Sequence, residues 1–544
     1  MKDLRYLKEV LKSAVSDADS CDTPWVKLGD KIKGILALDV FKNFDEQVSR
    51  LQEALDTLGV NFVPSIYSFL TKLFAETDEK TRQQHFHELL DWCFTELQPQ
   101  KSITRSEFER DTKLLLPLVK LETILKNLEN QELIRNVLNY FDNPRINQED
   151  IYEAVKTYLG SSSYELISFK LIPLDEQNGH LGDYFRLKVV IKSNDKLEKL
   201  DWFAKFLVPH SEYTKQILVR GPSKKEEFFY MEYLPKLKRL GLSDFAPNCY
   251  FSRVDDVIVL DDVCASGFTA LAPHTLLQKN ELRLTIKQLA KLHAGSLILE
   301  TTEQLATVYG EYLGETLFYL GTPEFNQSFA KITDSMVYLS SVFKDLTGKY
   351  SESELRLKAD NWCKITLDKL KKSDEPVNVI CHGDMYVANL LFKFRDDKSA
   401  EAVKLIDFQL LRYQPPMLEL LFLLFQNTPK EILDDNLESF LEEYYESLTG
   451  ILLQHNLDIQ QILPREYFEE SRDSMAVLAL YMTMYYSSVC ALGPELRKDI
   501  FAGKYGDIYC TNTIISVGIK TENYRNVMRG IFARFIQFCD KGLI

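Results

Sequence analysis

The stretch from Val377 to Phe392, VNVICHGDMYVANLLF, decides how the chain is read, together with AVKLIDFQ at 402–409. Val377–Cys381 is apolar and rich in β-branched residues, the mark of a short buried strand. It runs directly into His382-Gly383-Asp384, and Asn389 stands five residues beyond Asp384. A second apolar run, Val403–Ile406, ends on Asp407, 23 residues after Asp384. Two strands thus deliver two carboxylates and one carboxamide to their ends. Taken singly, His382 and Asp384 read as a loop turn and Asp407 as a strand-end cap.

Taken together, the three groups match what phosphoryl transfer from a nucleoside triphosphate requires. One carboxylate accepts the proton of an acceptor hydroxyl, while an amide and a second carboxylate hold Mg²⁺ against the phosphates. Asp, four residues, then Asn is also the spacing of the protein-kinase catalytic loop. Such chemistry makes demands upstream. A glycine turn between two strands is available at Asn178-Gly179-His180-Leu181-Gly182-Asp183, although hairpins use glycine in any case. A lysine on the next strand is available as Lys205 in WFAKF. A lysine flanked by apolar residues is costly to bury without an anionic partner. The following helical stretch offers Glu226 and Glu227, with Glu226 preferred. Val257–Val263, VIVLDDV, is an apolar strand ending in acids, placed where a hinge could meet adenine.

Further out, the first 140 residues are helical in pattern. Phe41, Phe44, Val48, Leu51, Leu55 and Leu58 form one stripe, and Ile66, Phe69, Leu70, Leu73 and Phe74 a second. Phe86, Leu89, Leu90, Cys93 and Leu97 form a third, and Ser106 with Glu109 resembles a capping box. Asp142-Asn143-Pro144 breaks the pattern. Beyond it a helix at Ile151–Leu159 leads to strands expected at Glu165–Ile172, Tyr184–Ile191, Trp202–Val208, Cys249–Arg253 and Val257–Val263, with a helix at Lys224–Leu240 among them. From about Thr275 the chain is mostly helical. The fold class is therefore α+β, and the domains divide as 1–146, 147–265 and 266–544.

Residues 147–544 resemble the ecdysteroid kinase-like family, also called choline-kinase-like, among the aminoglycoside and choline phosphotransferases. The likeness rests on LGDYF, WFAKFLVP, EEFFYMEYLPKL, VIVLDDVCASGF, LAKLHAGS, CHGDMYVANLLF and LIDFQLLRYQPPMLELLFLLF. It implies a protein-kinase-like, two-lobed fold preceded by an all-α extension. The implied roles are Asp384 as catalytic base, His382 orienting its loop, and Asn389 and Asp407 on Mg²⁺. Lys205 would contact the ATP phosphates, held by Glu226, with Gly182 and Asp183 in the covering turn and Asp261 to Val263 at the adenine hinge. His293 in LAKLHA is expected to be a core residue. Four positions depart from the family pattern. Asp261 replaces Glu, Glu419 replaces the Asp that braces the catalytic loop, and Tyr386 and Ala388 stand where Trp and Asn are common. None removes Asp384, Asn389 or Asp407, so the chain reads as active.

The resemblance further implies an alcohol acceptor, with steroid hydroxyls of moulting hormones in view. The segment 311–345 and Tyr481, Met482, Met484, Tyr485 and Tyr486 are candidate lining, though such clusters are more often core. Choline or ethanolamine kinase, xenobiotic kinase and pseudokinase binding module are the alternatives. The chain has 544 residues and a net charge of −15, with no basic block, which argues against nucleic acid as partner. Nine scattered cysteines without a CxxC fit reduced thiols in the cytoplasm. His85, His87 and Cys93 are not expected to bind metal. The N-terminus lacks the apolar core of a signal peptide, no run is long enough to span a bilayer, and Asn326-Gln327-Ser328 is a chance sequon. The leading helices are left as an appendage or a surface for a protein partner.

Overall fold

Five antiparallel strands form the sheet on which the upstream half of the candidate site is built. They are β1 (Glu165–Pro173), β2 (Asp183–Ser193), β3 (Lys196–Phe206), β4 (Cys249–Arg253) and β5 (Val257–Asp261), in the order β1-β2-β3-β5-β4. The computed structural model describes residues 64–76, 89–98, positions within 103–119, 146–174, 182–193, 196–208, 217–318, 323–371, 373, 375–501, 504 and 512–544. Residues up to Glu149 and those from Asp150 onward form two compact units.

In the first unit, Pro64–Glu76 is a helix that buries Ile66, Phe69, Leu70, Leu73 and Phe74 as one stripe. A second helix at 89–98 buries Leu89, Leu90, Cys93 and Leu97. The reciprocal capping box of this unit is made by Thr104 and Glu107. The Glu107 carboxylate accepts from the Thr104 amide at 2.9 Å, and the Thr104 hydroxyl accepts from the Glu107 amide at 3.3 Å. The stripe at 41–58, Phe86, His85, His87 and the Ser106–Glu109 pair lie outside the described residues.

In the second unit, strand register sorts the side chains by face. Leu187 opposes Trp202 and Val189 opposes Leu200, and all four are buried. Tyr158 of α1 (Gln148–Leu159) packs edge-on against Trp202 at 6.1 Å and Tyr250 at 5.5 Å. The opposite face carries Tyr184 opposite Lys205, and Arg186 opposite Phe203. β3 starts at Lys196, six residues before the expected Trp202. Lys196–Asp201 alternates too much charge to read as a strand, but β2 pairs with its whole length. β5 ends at Asp261, because Asp262 and Val263 enter a turn closed by Ala265 and Ser266 amides.

Helix α2 follows as Pro222–Phe228, a π-helical turn at Phe229–Tyr233, and Leu234–Arg239. Pro222 opens it after Gly221 at φ +76°, where a residue without Cβ is favoured. The helical body comprises α3 (Lys279–Glu303), α4 (Pro323–Val342), α5 (Glu352–Lys371), α6 (Pro416–Asn427), α7 (Lys430–Gln454), α8 (Arg465–Cys490) and α9 (Glu522–Asp540). Helix α6 is largely apolar, with Pro416 through Leu424 buried and Glu419 among them. Two small sheets lie beside it, β6-β8-β9 (Phe268–Ala270, Leu390–Phe394, Ala400–Leu405) and β7-β10 (Val379–Cys381, Arg412–Gln414). One hydrophobic core runs from Phe228 to Ile544, continuous across the 265–266 junction.

Among the described residues no single helix is long and apolar enough to cross a membrane. The bent pair Arg465–Cys490 and Pro494–Ile500, at 95°, meets the length and composition only jointly. Met475–Val489 of that pair are buried in the core.

Candidate active site

Strand pairing brings the separated residues of the motif together. β8 begins at Leu390, directly after Asn389, and β9 ends at Leu405, two residues before Asp407. Leu390 pairs with Leu405, and the Ile406 amide donates to the Asn389 carbonyl at 3.1 Å. Asn389 and Asp407 therefore leave the same end of one ladder. Asp384 lies across from them in the loop after β7. Asn389 Nδ2 donates to the Asp384 carbonyl and to its Oδ2, both at 2.9 Å. With its amine turned to Asp384, Asn389 keeps its carboxamide oxygen as the group for a cation.

The loop before Asp384 is held by buried partners. His382 Nε2 donates to the Ile406 carbonyl at 2.9 Å, and its Nδ1 accepts from the Asp384 amide at 3.2 Å. That pattern requires one proton on the ring, and burial lowers the His382 pKa accordingly. Gly383 adopts φ +84°, and a Cβ there would lie 1.8 Å from the Leu410 carbonyl oxygen. Only glycine fits that place. Glu419 of α6 accepts from the amides of His382 (2.9 Å) and Gly383 (2.6 Å) and from His293 Nε2 (2.9 Å). His293 is fully buried in α3, as a core residue should be. Its Nδ1 accepts from the Tyr444 hydroxyl at 2.7 Å, so it also steadies the brace. The extra methylene of Glu419 over Asp is thus accommodated with every acceptor in use.

On the upstream side, Lys205 Nζ donates to Glu226 Oε2 at 2.8 Å and to Asp407 Oδ1 at 2.6 Å. Burial alone would lower the lysine pKa, but Asp407 and Glu226 outweigh it and raise it. Glu227 faces away and hydrogen-bonds Ser252. Phe408 stacks on Phe229 at 3.5 Å and lies 4.5 Å from the His382 ring. The π-helical turn begins at Phe229, so α2 meets the loop where its winding changes. Asp407 itself has φ +69°, a left-handed conformation uncommon for a residue with a side chain.

The Asp384 carboxyl is pushed up to about 7, first by burial and then by Asp407. The nearby Tyr486 hydroxyl, the Asn389 hydrogen bond and the charge of Arg412 oppose the rise. Of the aromatic and methionine candidates, all five of Tyr481, Met482, Met484, Tyr485 and Tyr486 are buried. Tyr481 and Tyr485 pack on Phe318 at 6.1 and 5.2 Å. Of these, Tyr486 is the one whose hydroxyl influences the Asp384 carboxyl, and it stands 6.0 Å from Tyr386.

Gly182 approaches β3 so closely that a Cβ would meet the Phe206 carbonyl oxygen at 2.4 Å. Asp183 opens β2 opposite Phe206, while Asn178 to Leu181 lie outside the described residues. The hinge groups are engaged internally. Asp261 accepts from the Asn248 amide at 2.9 Å and from Tyr250, the Val263 amide donates to the Asp261 carbonyl at 3.0 Å, and Asp262 pairs with Arg186 at 2.6 Å. Sequence reasoning missed the buried ions Lys225, Glu315 and Arg412. Arg412 alone left a trace, as a charge inside the apolar run LIDFQLLRYQPP.

Carboxylates, a carboxamide oxygen and a paired lysine are the hard, polar set that suits a magnesium-bound polyphosphate. A kinase-like phosphotransferase is the class this arrangement defines. The model of the ecdysteroid kinase-like family matches residues 177–457, more than half of the chain, and the protein belongs to that family. Membership suggests a small-molecule phosphotransferase. Comparison with curated proteins finds no match.

Proposed function

We propose that the protein is an ATP- and Mg²⁺-dependent kinase that phosphorylates a hydroxyl of a lipophilic alcohol, an ecdysteroid-type steroid foremost. The observation that carries it is one ammonium, Lys205, shared by Glu226 and Asp407 within a site that also holds the Asp384–Asn389 pair. In this reading the fold is protein-kinase-like, with 147–265 as the nucleotide-gripping lobe and 266–544 as the catalytic and acceptor lobe. The protein works in the cytoplasm, and residues 1–146 serve as an appendage or as a surface for a protein partner.

Asn389 and Asp407 would hold Mg²⁺, both offering oxygen. When bound, the ion screens the negative charge of the phosphates. Lys205 supplies positive charge to the α/β-phosphates, and Glu226 keeps its amine aimed. Asp384, with a carboxyl near neutrality, takes the acceptor hydroxyl's proton as the new oxygen–phosphorus bond forms and ADP leaves. His382 and Glu419 hold the loop that carries it. An apolar polycyclic acceptor is preferred over choline, whose quaternary ammonium would call for an aromatic cage with acids nearby.

The test is incubation of the full chain with Mg-ATP and a panel of ecdysteroids, choline, ethanolamine and xenobiotic alcohols, followed by mass spectrometry. Gain of one phosphate on an ecdysteroid supports the proposal, and gain only on amino alcohols or xenobiotics replaces its acceptor class. Stabilisation by Mg-ATP with no product across the panel favours a binding module. An Asp384→Asn variant with undiminished turnover removes Asp384 from the mechanism.

A further inference from the structure

Lys225, the residue before Glu226, is only 3% exposed. Its ammonium donates to the Leu411 carbonyl at 2.8 Å and to the Gly314 carbonyl. Leu411 stands four residues after Asp407. Gly314 precedes Glu315, whose carboxylate pairs with buried Arg412 at 3.0 Å and accepts from the amides of Leu317 and Phe318. Arg412 in turn donates from Nη2 to the Gly383 carbonyl at 3.0 Å, inside the catalytic loop. Three segments remote in sequence therefore meet at one lysine. They are the helix bearing Glu226, the stretch behind Asp407, and the segment at 313–318.

Burying this ammonium is a poor route to stability even with the two carbonyls and attraction from Glu315, since burial outweighs that attraction and an apolar side chain would fill the space more cheaply. What the ammonium adds is direction, because it fixes two backbone oxygens relative to the helix. Neighbouring residues on a helix point about 100° apart. Glu226 accordingly grips β3 through Lys205, while Lys225 grips the other two segments. The segment at 313–318 also presents Phe318 to Tyr481 and Tyr485, next to Tyr486 and hence to Asp384.

We propose that Lys225 is a positioning residue that couples the 313–318 segment to the Lys205–Glu226–Asp407 group, so that acceptor-side and nucleotide-side geometry are set together. The inference rests on the kinase reading above. Its test is titration calorimetry of Mg-ADP into the full-length protein and its Lys225→Met and Glu315→Gln variants, with circular dichroism and melting temperature in parallel. Wild-type protein binds Mg-ADP. Lys225→Met binds at least about tenfold more weakly, and Glu315→Gln loses affinity in the same direction by less. A wild-type protein that ignores Mg-ADP overturns the kinase reading and this proposal with it. A wild type that binds, beside a Lys225→Met variant of lower melting temperature but equal affinity, overturns the coupling alone and leaves the lysine merely structural. Should Lys225→Met not fold, a folded Glu315→Gln with wild-type affinity has the same consequence.

Discussion

Replacing Glu419 with Gln tests the brace behind the catalytic loop. The carboxylate is 3% exposed and receives the His382 amide, the Gly383 amide and His293. Glutamine keeps the shape but offers one acceptor oxygen, and its amine must then face one of these donors. One or two buried donors lose their partner, and a charge-assisted contact becomes neutral. The cost is about 3 kcal/mol, which as local opening is about a hundredfold loss of protection. Hydrogen exchange at the His382 and Gly383 amides measures it directly. The pH dependence has a definite sign. Burial alone would raise the Glu419 pKa, but the His293 hydrogen bond, attraction to His293 and His382, and the Gly383 amide hold it below its ordinary 4.5. Its stabilisation is therefore full above the unfolded value and lost as the pH falls through the folded one. The gap between wild type and variant should stay constant near neutrality and narrow below about pH 4.5. Unchanged protection of both amides in Glu419→Gln, or a gap that widens in acid, would refute the reasoning.

Asp384→Asn should cut turnover by about a hundredfold or more while melting above wild type at pH 8. The folded carboxyl titrates near 7 rather than 3.8, so the stability of its protonated form is full below 3.8 and lost as the pH rises through 7. Melting curves at pH 4 and 8 should show the advantage vanishing in acid. Gly383→Ala combines a positive φ with a Cβ driven into the Leu410 carbonyl, and should destabilise by more than ~2 kcal/mol in urea titrations. Phe408→Ala removes the ring stacked on Phe229 and should cost about 3–5 kcal/mol by the same titrations, with weakened Mg-ADP binding in calorimetry.

The elements of the fold were most legible where local chemistry and burial agree. Cys249–Arg253 matches β4 end for end, because its paired aromatics lie between turns and Phe251 is buried at its centre. β3 was misjudged at its start because strand pairing, a long-range partnership, overrides the charges of Lys196–Asp201. The spacing of His382, Asp384, Asn389 and Asp407 could be read from order alone, since the β8–β9 ladder fixes their proximity. Which glutamate faces Lys205 depends on the rotation of α2, and neighbours in sequence do not determine that. Lys225 was illegible for a stronger reason. In the pattern Ser223-Lys224-Lys225-Glu226-Glu227 it looks solvated, and its acceptor at Leu411 lies 186 residues away.

The backbone at Asp407 has a consequence for laboratory evolution. A left-handed turn suits glycine best and is only tolerated by asparagine and aspartate, and for aspartate the site adds charge repulsion from Asp384. A library randomised at this codon and sorted for heat resistance should therefore drift toward glycine and asparagine, and so toward inert protein. Sorting the same library for product should return aspartate. Recovery of aspartate as the favoured residue under heat alone would show that its bond to Lys205 outweighs both penalties.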